Sequence, residues 1–279
     1  MTVADFTELL LLGAFFSGVL GAISGLGGGM IMIPLLVLVF KVDLQYAIGA
    51  SLVAVIATSC GAAAAHARDG FSNLRVGIVL ELAATAGALA GAQAAVFTPL
   101  RAIEFIFALM LLYSAWQSLH PPPEKGPAGP PDALAHRLGL EGAYPGAHGE
   151  AVPYCAEHVP AGLAMMGVAG LMSGLLGIGS GALKVLAMDQ QMRLPFKVST
   201  ATSNFMVGVT AAASAGVYLN RGYIDPQIAM PVMLGTLAGS LLGAQILARA
   251  KVPTLRKIFT LIIGLMGVQM LFKSFGVEF

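Results

Sequence analysis

The chain has 279 residues, a formal net charge of +1, 57% hydrophobic and only 10% charged residues, and a mean hydropathy of +0.83. Ordinary soluble domains carry about 25% charged residues, so this balance excludes one and defines a polytopic membrane protein. The near-neutral charge, with basic residues standing singly at segment ends, excludes a nucleic-acid partner, and Cys60 and Cys155 fit neither a disulfide framework nor a metal-ligand spacing.

The N-terminal run MTVADFTELLLLGAFFSGVL starts with acids instead of the basic stretch of a signal peptide and reads as a retained membrane segment. Eight apolar segments follow one another at 9–40, 44–66, 74–97, 101–119, 158–190, 198–219, 227–248 and 254–272. Most are near the ~20 residues that span a bilayer. The first and fifth are too long for one untilted helix and are cut by glycine clusters, SGLGGG at 24–29 and GIGSG at 177–181. Glycine disfavours helix by about 1 kcal/mol relative to alanine, so both segments are expected to break at mid-membrane, where a protein-lined cavity can tolerate unpaired backbone groups. Residues 120–157, rich in proline, glycine and histidine, read as a polar linker; the spacing of its His120, His136 and His148 suits no metal site.

An offset of 152 carries residues 25–119 onto 177–271 without a gap, with roughly one position in five identical. Gly25, Gly27 and Gly29 fall on Gly177, Gly179 and Gly181; Ser51 and Thr58 fall on Ser203 and Thr210; Gly87, Gly91, Ala92 and Gln93 fall on Gly239, Gly243, Ala244 and Gln245. The expected fold is therefore an all-α polytopic membrane protein of two homologous four-segment repeats, each with a glycine-broken first segment. The first repeat covers 1–119, the linker 120–157 and the second repeat 158–279. Two such halves mark a secondary transporter with its site at the repeat interface. If the broken segments enter and leave on one side, the halves are inverted and the loop Lys/Arg count is ten against four, with the linker cytoplasmic and both termini outside.

A helix restarting inside a membrane presents free N–H groups to an anion, which singles out Gly27, Gly28 and Gly29 with Gly179, Ser180 and Gly181 as substrate-binding candidates. The G-x-x-x-G pairs Gly21/Gly25, Gly87/Gly91 and Gly239/Gly243 suit close helix packing. Gln93 and Gln245 either tie two helices together or line the pathway. Ser51, Ser203 and Asn204 could bond an oxyanion, or bond back to their own helix. Lys184, three residues past the second cluster, must pair, snorkel or meet an anion; Asp189 is a nearby partner. Glu81, isolated in an apolar segment, is a candidate for proton coupling or a hydrogen-bonded structural acid. Their repeat partners are Met32 and Met233, so any site is asymmetric.

GLGGGMIMIPLL at 25–36, its echo GIGSGALKVLAM at 177–188, ATSNF at 201–205 and GSLLGAQILAR at 239–249 together resemble the TauE/SafE (TSUP) family of sulfite and organosulfonate transporters over nearly the whole chain outside the linker. The second copy departs from the family pattern at Ser180, Lys184 and Leu186. The resemblance implies an inner-membrane carrier for sulfite, sulfoacetate or a related sulfonate, without fixing direction. No cofactor is expected; the expected partners are the lipid bilayer, the small anion and a possible coupling proton. The residues alone do not choose sulfur over carboxylate, and a passive anion channel is the competing class. No nucleophile–base pair or metal set supports an enzyme.

Overall fold

The structure, a computed structural model, describes residues 3–24, 27–66, 72–119, 132–145, 150–249 and 252–276 and is mostly helical. Helix α1 (Val3–Ser24) runs to the first glycine break, and α2 (Gly29–Pro34) restarts beyond it and widens into a π-helical turn over Leu35–Val39. Three long helices follow: α3 (Leu44–His66), α4 (Leu74–Phe97) and α5 (Leu100–Leu119). The linker holds a short helix α6 (Ala133–Leu138) and a hairpin of β1 (Glu141–Pro145) and β2 (Ala151–Cys155). The earlier series then returns as α7 (Val159–Leu176), α8 (Gly181–Leu186) with a π turn over Ala187–Gln191, α9 (Phe196–Asn220), α10 (Pro226–Arg249) and α11 (Val252–Ser274). Six of these helices, α1, α3, α4, α5, α7 and α10, are long and apolar enough to cross a bilayer. Phe16, Leu82, Phe97, Trp116 and Leu261 point outward, as lipid-facing side chains do. Gly25, Arg68, Asp69, Gly70, His120 and His148 lie outside the described residues.

The breaks follow from backbone geometry. Gly27, Gly177 and Gly179 sit at φ 82°, 70° and 73°, a left-handed region that glycine enters without the steric cost borne by other residues. Both half-helices end alike, with Phe40 N–H donating to the Leu35 carbonyl at 3.2 Å and Met192 N–H to that of Ala187 at 3.1 Å. Left-handed Lys41 (φ 54°) and Arg193 (φ 52°) then turn the chain. Pro34 stands before the first wide turn and Leu186 before the second, so proline is not its cause.

Helix α1 packs along α10, and α4 along α7, through the glycines that the G-x-x-x-G spacing singles out. A Cβ on Gly87 or Gly91 would strike the carbonyls of Gly167 and Leu171; on Gly239 or Gly243 it would strike those of Phe15 and Val19. Helices α3 and α9 cross at the centre and run antiparallel. Ser59, a turn past the middle of α3, donates to the Asn204 carbonyl, a turn before the middle of α9, while Tyr46 at the start of α3 meets Tyr223 beyond the end of α9, ring centroids 5.9 Å apart. Helices α5 and α11 pair on the outside, where Gly267 fits against Leu111 and Leu112.

The linker departs from the expectation of an unstructured polar connection. Its Ala135, Leu140, Tyr154 and Ala156 are buried with Val76, Leu80, Val159 and Met188, so it caps the ends of α4, α7 and the second half-helix. Asn73 Nδ2 donates to the Tyr154 hydroxyl at 2.8 Å, and Asn73 N–H donates to Thr202 Oγ1 at 3.1 Å. Burial holds the Tyr154 phenol above its ordinary range, the Asn73 bond opposing. Arg193 pairs with Glu157 at 3.3 Å and the Arg75 guanidinium lies over Gly139, so both arginines sit at the linker end of the molecule. Asp132 caps two elements at once, accepting from Leu134 N–H at 3.3 Å and from Val159 N–H at 3.2 Å. Asp132→Ala is expected to cost about 1–2 kcal/mol and to speed amide exchange in residues 134–138. Unchanged exchange there would show that the cap does not hold the linker.

Candidate functional site

The two glycine breaks meet. A Cβ on Gly27 would lie 3.7 Å from Val207 Cγ1 and 3.9 Å from Val55 Cγ1; one on Gly179 would lie 2.7 Å and 2.8 Å from the same two atoms. Val55 and Val207 are themselves related by the 152 offset and stand at the middle of α3 and α9. One valine pair therefore receives both breaks, halfway along the two central helices.

Hydroxyls secure the turns around this point. Ser51 Oγ is within 2.6 Å of the Gly177 carbonyl and 3.0 Å of the Ile48 carbonyl. Ser203 Oγ donates to the Gly181 carbonyl at 3.3 Å. Ser17 Oγ donates to the Gly28 carbonyl at 2.7 Å, and Gly28 N–H donates to Thr58 Oγ1 at 3.4 Å. Ser180, the left-handed residue from which α8 starts, is fully buried, and its Oγ has no hydrogen-bond partner. A buried hydroxyl without a partner costs roughly 1–3 kcal/mol, so a ligand oxygen or an N–H reaching it would gain what the fold leaves unused. Gly179→Ala is expected to cut transport sharply, because it adds a strained left-handed alanine and a methyl between the two valines; solute uptake into vesicles measures it, and wild-type uptake by the variant would refute it.

One turn into α8 lies an ion pair. Lys184 is fully buried, and its ammonium donates to Glu81 Oε2 at 3.2 Å, to the Met206 carbonyl at 3.1 Å and to Thr210 Oγ1. The Thr210 hydroxyl in turn donates to Glu81 Oε1 at 2.5 Å, and Thr85 Oγ1 lies 3.2 Å from the same oxygen. An ammonium has three protons, and all three are engaged. Lys184 neither snorkels nor waits unpaired; it joins α8 and α9 to α4.

The other sequence candidates divide. Gly27, Gly28, Gly29, Ser51, Gly179, Ser180, Gly181 and Ser203 gather at the crossing. Asn204 is buried and holds Ser59 through its carbonyl. Gln93 is exposed and accepts from Arg221 Nη2 at 2.5 Å, tying α4 to the end of α9 at a distance from the crossing. Gln245 is exposed on α10. Sequence reasoning left Thr210 and Thr58 out of the site, although they are identical at the 152 offset. It also left Glu81 and Lys184 unpaired, although lone charges of opposite sign in apolar segments are natural partners.

Six long apolar helices, with two half-helices that start in the interior, define a polytopic all-α membrane protein. The chain belongs to the TauE/SafE family: the family model described as "Sulfite exporter TauE/SafE" matches residues 10–270. It is 27% identical to the probable membrane transporter protein YunE of Bacillus subtilis, over 97% of this chain and 98% of that one. It is 26% identical to YdhB of the same organism, likewise a probable membrane transporter protein, over 85% and 89%. A probable membrane transporter protein of Methanocaldococcus jannaschii is 24% identical over 94% of each chain. No solved structure matches the chain.

Proposed function

We propose that the protein is a secondary carrier for a small sulfur-containing anion, such as sulfite, sulfoacetate or a related sulfonate, moved across a bacterial inner membrane by alternating access of two inverted repeats. The observation that carries this reading is the meeting of Gly27 and Gly179 on Val55 and Val207. Two helical runs, Gly29–Val39 and Gly181–Gln191, start at that point, and backbone N–H groups at a helix start favour an anion. The unpartnered Ser180 hydroxyl adds a neutral donor, which suits the oxygens of a sulfite or sulfonate.

Inversion is supported by the antiparallel course of α3 and α9 and by the grouping of Arg75, Arg193 and the linker at one end. An arrangement without re-entrant segments would put Arg75 and Arg193 on opposite sides. The linker then faces the cytoplasm. Burial of Ser51, Ser180, Lys184 and Ser203 supports a carrier over a continuous pore, since a solute reaching them requires the crossing to open.

The test is uptake of labelled sulfite and sulfoacetate into proteoliposomes, with and without a pH gradient, comparing wild type with Ser203→Ala. Saturable uptake, reduced several-fold in the variant, is expected. If neither anion moves, the substrate class is wrong; if flux reaches channel rates without saturating, the carrier mechanism is.

A further inference from the structure

Lys184 and Glu81 come from different halves of the chain, and neither has a charged counterpart at the 152 offset. Met32 stands where Lys184 would recur, and Met233 where Glu81 would. The pair is an addition to a two-fold plan. It is also placed where the plan does its work: Lys184 lies four residues from Ser180, about 6 Å along the helix axis, and its N–H donates to the Ser180 carbonyl at 3.1 Å. Met206 and Thr210, which hold its ammonium, flank Val207 on α9.

Every group needed to bind a small oxyanion is present here, and an anion already occupies it. A carboxylate is planar and carries its charge on two oxygens, as one edge of a sulfite or sulfonate does. Glu81 uses both, Oε2 on the ammonium and Oε1 on the Thr210 hydroxyl. We propose that Glu81 is a tethered anion that competes with the transported anion for Lys184 and Thr210, and that the exchange couples transport to one proton. The proposal rests on the anion-carrier reading above.

For a monovalent anion, a monosulfonate or hydrogen sulfite, the exchange balances in charge and atoms. The incoming anion takes the Lys184 and Thr210 donors. Glu81, left without its counter-charge in a dry site, takes one proton from the side the anion came from, because an unpaired buried carboxylate is too costly to persist. When the anion leaves on the other side, Glu81 returns that proton to solution and closes again on Lys184. One proton travels with each anion in the same direction.

The neighbouring elements leave this role to Glu81. On its own helix the other ionisable group is Arg75, six residues earlier and directed to the linker. Helix α7 has none between Val159 and Leu176. Helix α8 and its π turn bring Lys184 and Asp189. Helix α9 brings Lys197, in its first turn, and Tyr218, near its end, whose hydroxyl donates to the Gly174 carbonyl at 3.3 Å. Among these, Lys184 is the cation in contact with Glu81.

The test uses the full chain in proteoliposomes with sulfite as the probe. Infrared difference spectra at fixed pH, with and without sulfite, report the protonated-carboxyl band that Glu81→Gln identifies. Sulfite is expected to bring up this band in the wild type. Glu81→Gln is expected to exchange sulfite down its gradient while losing the dependence of uptake on a pH gradient. Lys184→Met is expected to raise the half-saturation concentration by about tenfold or more, the size of one charge-assisted hydrogen bond. The double variant Lys184→Met/Glu81→Gln, which leaves no lone charge to unfold the protein, is expected to run as a folded species and not to recover that affinity. If wild type moves sulfite without the band appearing, or if the double variant transports with wild-type pH dependence, the pair is a fixed structural tie and the proposal is overturned. If wild type moves no sulfite at all, the substrate reading fails first, before any variant is compared, and the exchange falls with it.

Discussion

Lys184→Met alone is expected to destabilise the protein by about 3–5 kcal/mol, and adding Glu81→Gln is expected to return most of that loss. The cause is solvation. Lys184 is fully buried and the Glu81 side chain is 9% exposed, so water does little to screen either charge. Removing the ammonium strands a carboxylate whose remaining bonds, from Thr210 and Thr85 to Oε1, are too few for a full negative charge. Removing both charges deletes the problem with the contact, and methionine and glutamine retain most of the volume. Glu81→Gln alone is expected to cost less than Lys184→Met, because the ammonium keeps the Met206 carbonyl and Thr210 hydroxyl as acceptors and the glutamine amide oxygen can accept its third proton. Thermal unfolding of the two single variants and the double variant in one detergent provides the cycle. Additive losses in the double variant would mean that the two residues stabilise the fold independently and that the ion pair contributes nothing as a pair.

The internal repeat explains what could be read before the structure. Gly27, Gly29, Ser51 and the glycine pair Gly87/Gly91 have identical partners 152 residues away, and Gly87 and Gly91 pack on α7 as Gly239 and Gly243 pack on α1. The same offset is blind to the Lys184–Glu81 pair, because both repeat partners are methionines and the contact spans 103 residues. Complementary charge was the remaining signal, and it points to a partner without locating it. Val55 and Val207 were legible as an identical pair, but nothing about a valine in an apolar helix separates a wedge between two breaks from ordinary core. The linker hid its structure for another reason. Ala135, Leu140, Tyr154 and Ala156 are too scattered to show a period, and they become a core only against Val76, Leu80 and Met188 from the membrane helices.

The other large effect is expected at the α4–α7 contact, where Gly91→Leu should prevent the two helices from closing and leave little folded protein. Overpacking a core ordinarily costs about 1–3 kcal/mol, because side chains can move aside. Here the obstacle is the Leu171 carbonyl and the adjoining backbone of α7, which cannot move without separating the helices along their length. Even Gly91→Ala should be poorly tolerated, since the first added carbon already collides. Helix α7 ends at the second break, so any displacement passes directly to Gly177 and Gly179, and surviving protein should lose transport as well as stability. Gly216 provides the contrast: it lies in α9, and a Cβ there would meet nothing within 4 Å. Gly216→Ala should stabilise by about 0.4–1 kcal/mol, the gain in helix propensity and the smaller freedom of the unfolded chain being unopposed. Yield of monodisperse protein and its melting temperature decide both. Equal tolerance at Gly91 and Gly216 would show that α4 and α7 do not approach as closely as their glycines allow, and the rigid seating of the second break would lose its physical basis.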